Sequence, residues 1–241
     1  VDVDLSDRRT FDTLFALSSF ADYWRENERL IQAAADSEEA RSGPAWSPQT
    51  DEEYAEFHME RRVSRHLHDE IITPRFRYAC VVMLYAAVES ELLRLVDNLV
   101  VERGEQKLKY KDLKGNLLNQ VTKFSEVFFG LRIVGCPTYG ALCDLQKVRD
   151  CIVHCRGEVA LSGDRTYLLG LGNTRPGFCA YEGAELEIQP CCIERFIKEM
   201  WTLFVWVFTQ LNWPVDDFWQ KERQWQTDRP SGGSCQPIKT R

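Results

Sequence analysis

Between residues 10 and 35, Phe11, Leu14, Phe15, Leu17, Trp24, Leu30 and Ile31 recur at roughly helical spacing with Asp, Arg and Glu between them. That pattern predicts an amphipathic helix. Gly43, Pro44 and Pro48 then break it, and Ser42 to Pro48 reads as a loop. Residues 51–70 are dense in Glu, Arg and His with few large apolar groups, which predicts an exposed helix or a mobile arm. Thr73-Pro74 predicts a helix start, since Thr caps free N–H groups and Pro has none to lose in the first turn. From there to Val101 the strongest helix is expected, with Val81, Tyr85, Val88, Leu92, Leu95, Val96 and Leu99 along one side and Gly104 after its end.

A further helix is expected over 108–130, its apolar face built from Leu117, Leu118, Val121, Phe124 and Phe128. Gly135-Cys136-Pro137 interrupts the pattern, which resumes over 139–156 with Leu142, Leu145, Val148 and Ile152 facing inward. Gly157 stands where a left-handed helix end is wanted. The segment 158–190 changes character. Val159–Leu161, Thr166–Leu171 and Ala184–Ile188, separated by Gly, Asp and Asn, predict two or three short strands. A last helix is expected from Cys191 through Leu211, ended by Pro214, and the Pro-Ser-Gly-Gly-Ser run beyond Arg229 predicts a flexible tail. The expected fold is mainly α: an up-and-down helical bundle with a small β-hairpin insert before the last helix. Three regions follow: an acidic N-terminal helical segment 1–73, a helical domain 74–225 and a flexible tail 226–241.

Composition adds limits. Hydrophobic residues make up 44% and charged residues 28% of 241, ordinary for a soluble globular chain able to bury a real core. The formal net charge of -7 excludes a protein that coats nucleic acid nonspecifically, which needs many Lys and Arg on phosphates. The acidity is local: residues 1–70 hold 8 basic and 17 acidic side chains, and the remainder is slightly basic. The nine cysteines are scattered without any CxxC pair, so most read as small buried hydrophobes suited to a reducing cytoplasm, with no metal site expected. The opening Val-Asp-Val-Asp-Leu-Ser-Asp resembles no signal peptide, and the lack of an initial Met predicts a trimmed chain. The most apolar stretch, Met200 to Leu211, is about half a membrane span and reads as a core helix. Cytoplasmic location without membrane association is the expectation.

Leu145 to Gly157 stands apart. It sets Arg149, Asp150 directly after it and His154 five residues on, at the end of an apolar-faced helix and just before Gly157. This resembles the HEPN superfamily, whose signature is Arg, a polar residue, a few apolar residues and His, commonly followed by Gly. The earlier helix Tyr85-Ala-Ala-Val-Glu89-Ser-Glu91-Leu-Leu is similar to the family's preceding long helix. The resemblance covers residues 74–212. It implies a HEPN-type bundle, a homodimer bringing two motifs together across a cleft, and metal-independent cleavage of RNA in stress, toxin or defence settings, with a regulatory or antitoxin protein as a candidate partner. Arg149, His154 and Asp150 are the expected catalytic residues; Arg156, Lys147 and Glu89 are expected to meet substrate. No cofactor is implied.

The residues suit that chemistry. Cleavage without a metal requires a proton taken from the ribose 2′-OH, a proton given to the leaving 5′-oxygen, and charge stabilisation on the phosphorane. His moves protons near neutral pH, and Arg grips two phosphate oxygens with its planar fork. Five residues of helix turn through about 140°, so Arg149 and His154 leave different sides, which agrees with a site shared by two protomers. From Leu131 to Gly177 six basic residues face four acidic ones, leaving room for RNA.

Other readings stand beside this one. Arg149-Asp150 also fits a surface ion pair and His154 a helix-end cap. HEPN-like modules without catalysis bind a nucleotide or a partner protein instead, and a plain helical scaffold is the third reading. His58, His66 and His68 lie among carboxylates, yet a solvated charged face accounts for them better than a metal site. The run Trp201, Phe204, Trp206, Phe208, Trp213, Phe218 and Trp219 reads as core or dimer interface before it reads as a base-stacking platform.

Overall fold

Leu14, Leu17, Ala21 and Trp24 recur every three or four residues near the start of the chain, and all four are buried. They lie on α1 (Arg8–Arg41) in a computed structural model of the protein, which describes residues 8–41, 50–104 and 109–215. The remaining helices are α2 (Asp51–His66), α3 (Thr73–Arg103), α4 (Leu117–Phe129), α5 (Tyr139–Cys155), α6 (Arg165–Thr174) and α7 (Pro190–Gln210). The protein is mainly helical. α3 touches α1, α4, α5 and α7, and α7 in turn packs on α1 and α5. The core runs through α7, where Ile193, Phe196, Ile197, Met200, Leu203, Phe204 and Val207 are fully enclosed. At roughly 1.5–3 kcal/mol for each large apolar side chain buried, this helix is the main hydrophobic anchor. The aromatic run resolves as core over its described part: Trp201, Phe204, Phe208 and Trp213 are buried and Trp206 is partly covered, while Phe218 and Trp219 lie outside the described residues. The predicted loop from Ser42 and the predicted tail also lie outside them.

Two expectations need correction. The first is the cap at Thr73: α3 does begin at Thr73-Pro74, but Thr73 caps nothing and the chain before it is already helical. Thr73 has helical dihedrals (φ -61°, ψ -49°) and donates its N–H to the His68 carbonyl five residues back. A π-helical turn over Leu67–Ile72 thus joins α2 to α3, and the chain is helical without a break from Asp51 to Arg103. Pro lacks an N–H and its ring collides with the carbonyl four residues earlier in a regular helix. The wider turn just before Pro74 relieves that collision. The boundary drawn at 73/74 therefore falls inside a continuous helical run, and α1 shares one core with α3 and α7. α2 itself is an exposed helix, begun by Thr50, whose hydroxyl accepts the Glu53 N–H at 3.2 Å.

The second correction concerns 158–190. Val159–Leu161 forms a 3-10 turn and Arg165–Thr174 a helix. Of the expected strands Ala184–Ile188 is found in part: Glu187–Ile188 (β2) pairs antiparallel with Phe178–Cys179 (β1) as the small hairpin before α7, and Glu158 adds an isolated antiparallel bridge to Glu185. Leu168 and Leu171 decide the matter: set three residues apart, both are buried, which a helix allows and an alternating strand does not. α4 also starts later than expected, because Gly115 has φ +116° and Asn116 caps the helix by accepting the Asn119 N–H. α7 ends as Asn212 turns left-handed, before Pro214 is reached. No helix among the described residues is long and apolar enough to cross a membrane.

Candidate functional site

α5 buries Leu142, Leu145, Val148, Cys151 and Ile152 toward α3 and α7. Its other side is half-open: Gln146, Arg149 and Asp150 are partly covered, and Val153 and His154 are exposed. On a helix turning about 100° per residue, Arg149 and His154 mark the two edges of this outer strip, with Val153 and Asp150 between them.

Arg149 is held from two directions. Its guanidinium donates from one terminal nitrogen to Asp150 Oδ1 at 2.7 Å. It lies over the Tyr85 ring of α3, 5.3 Å from the centroid. Its Nε is enclosed and has no acceptor among the described residues. The side chain keeps 31% of its exposure, so the rest of the planar fork faces solvent. Asp150 therefore pairs with Arg149 of its own chain rather than with His154. His154, on the last turn of α5, makes no hydrogen bond or ion pair with any described residue.

The helical pattern marks Tyr85 as an inward-facing residue of α3, and its position beneath Arg149 emerges only in the fold. Burial pushes its phenol up, the Glu89 and Asp150 carboxylates add to that, and Arg149 opposes it. These four groups thus share one electrostatic neighbourhood. Glu89 also lines a shallow apolar cleft with Tyr85, Val88, Leu92, Leu117, Leu118, Val121 and Leu142.

The other expected substrate residues are placed differently. Lys147 pairs with Asp164 and lies 4.8 Å from the centroid of the Tyr167 ring, tying α5 to α6 and the turn before it. Arg156 is exposed but left-handed (φ 56°), and its carbonyl accepts from Arg75. Gly157 follows at φ +86°, and a Cβ there would lie 2.4 Å from the Tyr78 hydroxyl. The Gly157 N–H reaches back to the Cys151 carbonyl at 3.1 Å, while its own carbonyl accepts from Leu186 at 2.9 Å. The glycine after the His thus closes α5, admits Tyr78 and holds the hairpin, three tasks no larger residue performs at once.

Among the described residues no group of three or more His, Cys, Asp or Glu is arranged to hold a metal ion. Glu91, adjacent in sequence to the Glu89 region, is buried and serves the fold: it accepts from Thr13 at 2.7 Å and pairs with Arg94, fastening α3 to α1. Comparisons with models of protein families, with curated proteins and with solved structures find no match to this chain.

Proposed function

We propose that this chain is a HEPN-like endoribonuclease that cuts RNA at a site composed from two protomers. The observation that carries the reading is the placement of Arg149: a half-open guanidinium, oriented by Asp150 and the Tyr85 ring, on the same outer strip of α5 as an unengaged His154. Arg149 holds the non-bridging phosphate oxygens, exchanging part of its Asp150 contact for them, and stabilises the charge that grows on the phosphorane. His154 takes the 2′-OH proton or delivers one to the leaving 5′-oxygen. Asp150 keeps the guanidinium oriented while the site is empty. The two edges of the strip diverge by about 140°, so Arg149 of one protomer and His154 of the other are the natural pair across a twofold cleft.

The test is RNA cleavage by the purified protein in chelator, with product ends analysed. The expected products carry 2′,3′-cyclic phosphate, and both His154→Ala and Arg149→Ala are inactive with unchanged circular dichroism. Cleavage surviving in both variants contradicts the assignment.

A second reading is a non-catalytic HEPN-like module that binds a nucleotide or a partner protein. The Arg149–Asp150 contact within one chain favours it, since a carboxylate already occupies the phosphate grip. Intact RNA together with nucleotide binding lost in Arg149→Ala is the outcome expected of that module.

A further inference from the structure

Helix α2 and the π turn after it bury none of their described side chains. Their apolar residues are nevertheless ordered. Met59, Val63, Leu67 and Ile71 follow one another four apart, with exposures of 68%, 61%, 44% and 45%. In a regular α-helix a four-residue step overshoots a full turn by about 40°, so four such residues drift around the axis. The π turn over Leu67–Ile72 is wider and takes back part of that drift at its last step. The four side chains consequently form one ridge. Phe57, Ser64 and His68, the partly covered positions of this stretch, lie about a third of a turn away. The ridge is therefore not the side on which α2 is covered.

Charge on the same ridge is one-sided. Glu52, Glu56 and Glu60 continue it toward the N-terminus, all exposed, and no described residue engages them by hydrogen bond or ion pair. Residues 51–72 contain no Lys; of their three arginines, Arg61 and Arg65 occupy helix positions well away from the ridge and Arg62 stands at its edge, about 60° from Met59. The surface is thus apolar at one end and anionic at the other.

We propose that this ridge is the docking surface for a basic amphipathic helix of a partner protein. Such a helix covers Met59, Val63, Leu67 and Ile71 with its apolar face and sets Lys or Arg against Glu52, Glu56 and Glu60, the helix-on-helix mode read as anchors three and four apart. Charge complementarity selects this occupant over a second copy of the chain. A parallel pairing of two ridges opposes carboxylate to carboxylate, and an antiparallel one sets the carboxylates against Leu67 and Ile71. The surface belongs to α2, so the inference stands apart from the α5 site and its chemistry.

The test uses the full chain and a fluorescein-labelled helical peptide of Leu, Ala and Lys with Leu at every third or fourth position, followed by anisotropy. The expected result is saturable binding, weakened at least about tenfold by Val63→Asp with Leu67→Asp, and likewise by Glu52→Lys with Glu56→Lys and Glu60→Lys. The second set leaves the apolar residues untouched, so it decides the matter if the first fails to fold. Equal binding of a peptide with the same composition but scrambled Leu positions overturns the proposal, as does wild-type-like binding by the charge-reversed chain. Self-association of the unliganded chain that Val63→Asp abolishes overturns it in favour of a second copy.

Discussion

Arg149 and Arg175 are both arginines beside a carboxylate and over an aromatic ring, and they do different work. Arg175 keeps only 7% of its side-chain exposure, donates to Asp144 at 2.8 Å and to Glu199 at 2.9 Å, and lies 4.1 Å from the Phe196 ring centroid. Two carboxylates satisfy it, and it locks α5, α7 and the end of α6 together. Arg149 has one carboxylate, a more distant ring, an unsatisfied Nε and 31% exposure. A fully paired, enclosed guanidinium has nothing left to offer a ligand. A half-paired one at the surface is positioned without being consumed, which a phosphate grip requires.

The comparison breaks most readily at Arg175. Replacing it by Met leaves the partly covered Asp144 and Glu199 without their buried cation, and the expected loss is up to about 3–5 kcal/mol in urea denaturation. A change under about 1 kcal/mol, the range of exposed pairs, contradicts the structural role assigned to it.

Much of this was legible in the sequence, for identifiable reasons. The helices that bury one clear stripe, α3, α5 and α7, follow directly from Val81-Tyr85-Val88, Leu142-Leu145-Val148 and Phe196-Met200-Leu203. The misplaced strands came from a segment rich in Gly, Leu and Tyr, where packing of Leu168 and Leu171 overrules local propensity. α3 begins at Thr73-Pro74 as expected, but its continuity with α2 is not legible, because a π turn leaves no compositional mark. At the site, Arg149, Asp150 and His154 are named through the family resemblance that their order carries, since the spacing alone also fits an ion pair and a helix-end cap. Tyr85 beneath Arg149, and the engagement of Lys147 by Asp164, depend on which helices meet and which side chains reach across. Helical periodicity carries no record of that.

Alkaline pH sharpens the comparison next. Cys192, near Arg175, is pushed up to about 12 by burial, with Arg175 opposing, and Cys80 is likewise pushed up to about 12 by burial. The unfolded chain ionises these thiols near the ordinary value of 9.0, so the folded state binds more protons between the two values. Stability is then fully present below about pH 9 and falls as pH rises toward about 12, by up to about 1.4 kcal/mol per unit for each thiol. Thermal melts at pH 8, 9.5 and 10.5 are expected to show the fall, and Cys80→Ala to reduce its slope. A flat profile contradicts the burial of these thiols.

The smallest effect on stability is expected at Arg149. Arg149→Met removes a partly solvated pair and costs under about 1 kcal/mol. A loss as large as that of Arg175→Met erases the distinction between the two arginines.

The central claim is a composite site, and mixing two dead variants tests it most directly. Arg149→Ala and His154→Ala chains, each inactive alone, are incubated together under conditions that allow subunit exchange and then assayed for RNA cleavage. A mixed dimer retains one intact pairing of Arg149 from one protomer with His154 from the other, so the account predicts that activity returns. Continued absence of cleavage in a mixture shown to contain mixed dimers contradicts it.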